Sequence, residues 1–172
     1  MVSGQTVFQA SKVPLFITTS EIPSKEKIKE LSEKSRQCSM AVQSDDDNSC
    51  SDAELLPFGL DGSFINQSPL DIAKFIIREL QDDSNRIVTL IFAVFDDESV
   101  KEPHHVQINS IKGETMDDLS GNSAEIEFTF RSDIREVIEI SIQGQDDTFG
   151  IDESYSVALG HNNFLSYNGV YK

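Results

Sequence analysis

The chain has 172 residues, enough for one domain of ordinary size with little left for a second. Its net charge of −16 leaves no basic surface to displace phosphate counterions, which argues against direct binding to nucleic acid or to an anionic membrane. No apolar run approaches the roughly 20 residues that a membrane-spanning helix requires, so no membrane insertion is expected.

Residues 1–22 mix polar positions with short apolar runs and read as an extended arm, with one strand at Val13–Thr18. They lack the basic start, unbroken apolar core and small-residue cleavage site of a secretory signal. The expectation is therefore a soluble chain without an export signal, its compartment unspecified. Pro23 and Ser24 precede Lys25–Arg36, a helix-favouring stretch whose apolar stripe is only Ile28 and Leu31. The polar, Ser- and Asp-rich residues 37–54 read as a linker or exposed loop. Cys38 and Cys50 flank its acidic centre. Two cysteines are too few for a disulfide framework or a four-ligand zinc site. Free thiols are the expected state, with a bridge as the alternative.

Beyond the turn-rich Leu55–Gly62, Ser68 and Pro69 supply a cap and a first helical residue for Leu70–Leu80. Ile72, Phe75, Ile76 and Leu80 then share one face. The period changes after Asn85. Ile87–Phe95 is a nearly continuous β-branched and aromatic run, as in a strand covered on both sides. Val106–Ile111 and Glu125–Phe130 alternate, the latter with Ile126, Phe128 and Phe130 inward. Glu136–Ile142 alternates as well, and Tyr155–Leu159 offers a further short strand. Several short strands separated by Gly, Asn and Asp turns predict a mainly β protein, an antiparallel β-sandwich with an extended arm and one or two helices. The expected organisation is an arm, helix and acidic linker over 1–54, the sandwich over 55–159, and a tail over 160–172.

Acidic side chains are the main chemical signal. Asp96, Asp97 and Glu98 close the most apolar strand, Asp146 and Asp147 with Asp152 and Glu153 bracket a Gly turn, and Asp117, Asp118 and Asp133 lie on other bends. Carboxylates converging from loops would suit a hard cation. In so acidic a chain, solvated turns and protected strand edges also place acids there. The His104–His105 pair points to opposite sides of a strand and is poorly arranged to chelate one zinc ion. No nucleophile elbow, P-loop or dinucleotide fingerprint occurs, so no enzymatic activity is expected.

Asp146-Asp147-Thr148-Phe149-Gly150-Ile151-Asp152 is similar to a D-E-[ST]-[WF]-G-I-D stretch of calcium-binding β-jelly-roll modules in secreted adhesins and carbohydrate-binding proteins. Phe92–Glu102 resembles their strand ending in D-S-W-D-G-E, with Ser99-Val100-Lys101 standing where the Trp-Asp-Gly centre would be. Val106-Gln107-Ile108-Asn109 looks like the V-x-V-N that follows. The similarity spans about residues 56–159. It implies a jelly-roll fold and a recognition module with Asp97, Glu102, Asp147 and Asp152 as candidate Ca2+ ligands. Taken together, the expected function is a non-catalytic structural or assembly component that meets protein subunits through its arm, helix and tail. The alternatives are a calcium-dependent recognition module of carbohydrate-binding or adhesin-like kind, and an acidic inhibitor or mimic that docks on a basic partner.

Overall fold

The computed structural model describes residues 12–35, 54–80, 91–102, 105–112, 124–137, 140 and 148–165. In chain order they form β1 (Lys12–Ile17), α1 (Lys25–Ser35), β2 (Glu54–Phe58), α2 (Pro69–Glu79), β3 (Ile91–Phe95), α3 (Asp97–Lys101), β4 (His105–Ile111), β5 (Ile126–Asp133), α4 (Thr148–Leu159) and β6 (Phe164–Leu165). Helical backbone also follows β5 at residues 134–137 and 140. The strands make one six-stranded mixed sheet in the order β2-β1-β3-β4-β5-β6. β1 runs parallel to both β2 and β3, β4 is antiparallel to β3 and β5, and β6 is parallel to β5.

The sheet divides its side chains between two cores. Val13, Leu15 and Ile17 of β1, Ile91, Ala93 and Phe95 of β3, Val106 and Ile108 of β4 and Phe130 of β5 lie in one. Phe16, Phe92 and Val94 lie in the other. Successive strand residues point to opposite faces, so each central strand is buried on both. Helices cover both sides accordingly. Ile28 and Leu31 of α1, Ile134, Val137, Ile140 and Ala158 pack on the first face, whereas Ile72, Ala73, Ile76 and Ile77 of α2 pack on the second. The connection from β1 through α1 moves outward to β2, and that through α2 returns across β1 to β3. Crossovers of one hand in opposite directions must use opposite faces, as these two helices do.

This is an α/β arrangement, and the expected antiparallel sandwich is corrected. Among the described residues there is one sheet, and three of its five strand pairs are parallel. Two expected strands meet helical backbone, Tyr155–Leu159 throughout and Glu136–Ile142 at its described residues 136, 137 and 140. Residues 134, 137 and 140 carry Ile134, Val137 and Ile140 at helical spacing, and all three are buried in one core. The alternation over 136–142 is thus the weaker of two patterns in the same residues. Tyr155 and Ala158, three apart on α4, both pack on that face, which overrides the strand expected at Tyr155–Leu159. Lys12–Ile17 and Lys25–Ser35, read as part of an arm and as a helix, form β1 and α1 and bury Leu15 and Leu31 in the first core.

Local chemistry explains the elements that were anticipated. Ser68 Oγ accepts from the Asp71 N–H at 3.1 Å, Asp71 Oδ2 accepts from the Ser68 N–H at 3.4 Å, and Pro69 opens α2. Two N–H groups at the helix start that have no partner within the helix are thereby satisfied. Ser24 Oγ similarly accepts from the Lys27 N–H at 3.1 Å at the start of α1. After β2 the chain turns at Gly59 with φ +95°. A Cβ there would stand 3.0 Å from the Ile17 carbonyl oxygen, so the turn requires glycine.

The second core centres on Phe16. Its ring stacks on Phe58 at 4.9 Å and meets Phe64, Phe75 and Phe92 edge-on at 5.0, 6.1 and 5.8 Å. At its far end β5 carries an irregularity. Ser110 faces Phe128 and Ile111 faces Ile126, so Glu127 has no partner on β4. Ile126 consequently packs with the α2 core while Phe128 and Phe130 remain with the other. The three do not share one inward face, as their even spacing had predicted.

Replacing Phe16 with Ala should lower stability by about 3–5 kcal/mol, because four rings lose their common neighbour. Ser68→Ala should cost only about 1 kcal/mol. Urea denaturation followed by circular dichroism separates the two, and similar losses would contradict the central position given to Phe16.

Candidate functional site

Helix α2 covers β2, β1 and β3, together with the end of the β4–β5 pair at Ile111 and Ile126. The other end of β4 and β5 presents polar side chains on the same face, because Gln107, Asn109, Thr129 and Arg131 alternate with the apolar Val106, Ile108 and Phe130. Asn109 and Thr129 are direct cross-strand partners, as are Gln107 and Arg131. Asn109, with no exposed surface, donates from Nδ2 to Gln107 Oε1 at 2.9 Å and accepts from Thr129 Oγ1 at 2.8 Å. A buried amide is costly unless bonded, and here both ends are used.

Asp96 borders this row. It follows β3 and caps α3, its Oδ1 accepting from the Ser99 N–H at 3.1 Å while Ser99 Oγ accepts from the Asp96 N–H at 3.1 Å. The same carboxylate accepts two bonds from the Arg131 guanidinium, Nη1 to Oδ2 at 3.0 Å and Nη2 to Oδ1 at 2.8 Å. Arg131 Nη2 also donates to Ser99 Oγ at 3.3 Å. This is the fork geometry in which arginine binds carboxylate most strongly. It ties α3 to β5 across β4, between side chains that keep only 24% and 25% of their surface in solvent. The Arg131 backbone N–H donates to the Asn163 carbonyl at 3.0 Å, so one residue also anchors β6.

A second pair closes β5. Asp133 Oδ1 accepts from the Arg135 N–H and from its Nε, both at 2.9 Å, and Oδ2 accepts from Nη2 at 2.8 Å. His105 faces Asp133 across the sheet, and its ring lies 4.4 Å from that of Phe164. Burial pushes both carboxyls up, and their partners outweigh it. Hydrogen bonds and charge from Arg131, with hydrogen bonds from Ser99, hold Asp96 below the ordinary 3.8. Hydrogen bonds and charge from Arg135, with the charge of His105, do the same for Asp133.

The anticipated ligand residues are placed differently. Asp97 is exposed in the first turn of α3, and Glu102 is exposed at its other end, its N–H donating to the Glu98 carbonyl at 2.9 Å. Asp152 is exposed on α4. Asp147 lies outside the described residues, as do Asp117, Asp118, Asp146, His104, Cys38 and Cys50. No group of three or more His, Cys, Asp or Glu side chains among the described residues could hold a metal ion. Asp96 and Asp133, noted as strand-end acids, instead serve as anchors for arginine. Arg131 was not singled out from the sequence, although its place between Phe130 and Ser132 in an alternating strand marks it as lying opposite the Phe130 face.

What the polar row can do chemically follows from this pairing. It offers donors and acceptors fixed by one another, with the charge of Arg131 already neutralised by Asp96. Comparison with protein-family models, curated proteins and solved structures finds no match to this chain.

Because both carboxyls are lowered in the folded protein, their contribution to stability is complete above pH 3.8 and disappears as pH falls through the lowered values. Melting temperatures between about pH 7 and about pH 2 should fall more steeply below 3.8 for the natural chain than for Asp96→Asn. Equal slopes would contradict the Asp96–Arg131 pairing. Arg131→Ala should cost about 1–3 kcal/mol at neutral pH, since it leaves a half-buried carboxylate short of its strongest donors.

Proposed function

We propose that this chain is a non-catalytic structural or assembly component of a protein complex, and that it receives a protein subunit on the open polar end of β4 and β5. The observation that carries this reading is that, among the described residues, α2 covers only part of one face of the sheet. One face is layered by α1, by Ile134, Val137 and Ile140, and by α4. On the other, α2 reaches Ile111 and Ile126, leaving the row of Gln107, Thr129 and Arg131 half-buried. Its side chains are held in position before any partner arrives, which reduces the ordering cost of association. Asp96 and Ser99 are engaged by Arg131, and Asp133 by Arg135, as structural ties, which supports a role through surface contact rather than bond-making.

The acidic composition supports two lesser readings, calcium-dependent recognition and docking on a basic partner. The first draws on Asp97, Glu102, Asp147 and Asp152, and the second on the net charge of −16 alone. A melting temperature that rises in millimolar calcium, with the gain lost in Asp152→Ala, would favour calcium-dependent recognition over the assembly reading.

Size-exclusion chromatography of extracts from cells that make the protein should place it well above the mass of one chain. Thr129→Arg and Gln107→Arg, which add bulk and charge to the row, should return it to the single-chain position while the purified variants keep a cooperative melting transition. Elution of the natural chain as a monomer would overturn the proposal. So would folded variants that remain in the large species.

A further inference from the structure

We draw no further inference here: the strongest candidate, the rim at the carboxyl ends of the parallel strands β1, β2 and β3, rests on a cluster of exposed acidic side chains, Glu21, Asp61, Asp97 and Glu98, with no second feature that points to a ligand.

Discussion

Burial of β1 and β3 on both faces is the constraint from which the architecture follows. Leu15 and Ile17 on one side, and Phe16 on the other, cannot all leave water unless a layer lies on each face of the sheet. A strand in that position pairs with neighbours on both edges, as β1 does with β2 and β3. Parallel neighbours require long crossovers, and these are where α1 and α2 arise. Phe16 is the densest point of this arrangement, since rings from β2, α2, β3 and the turn after β2 all converge on it.

Toward β5 the same sheet changes character. Among the described residues α2 does not extend over that part of the face, and its order comes from hydrogen bonds rather than apolar contact. The Asp96–Arg131 fork does at this end what ring packing does at the other: it fixes neighbouring elements against one another. The two mechanisms respond differently to the medium. Apolar packing is insensitive to proton concentration, whereas the fork weakens once its carboxylate takes up a proton. The ties at the β4–β5 end, and α3 attached to it, therefore weaken in acid, while the ring packing around Phe16 does not.

Much of this was legible in the residues. Ser68, Pro69 and the stripe of Ile72 and Ile76 specify α2, and alternation over Val106–Ile111 and Glu125–Phe130 marks β4 and β5. Parallel pairing was not legible, because nothing in Val13–Ile17 states which strands flank it. Leu55–Phe58 carries Pro57 and precedes Gly59, so it reads as a turn, although it forms the strand beside β1. The stretch from Ile134 to Ile140 contains both a period of two and a period of three, and only the neighbouring sheet decides between them. At the candidate site the short-range part was readable: Asp96 and Ser99 have the spacing of a helix cap. Its long-range part was not, since Arg131 lies 35 residues further on and is brought there by β4 and β5.

The unpaired Glu127 has a consequence for how this sheet tolerates change. It acts as a phase shift: β5 enters with its apolar residue turned toward α2 and leaves with its apolar residues turned toward α4. Loss of that single position would leave Ile126 next to Phe128 and still on the opposite face, whereas regular pairing that kept Glu127 would put Ile126 in step with Phe128 and Phe130, crowding one layer and opening a gap beneath the other. What sorts these side chains between the two layers is accordingly the break in pairing itself, and the residue that fills it could be removed without misplacing either set.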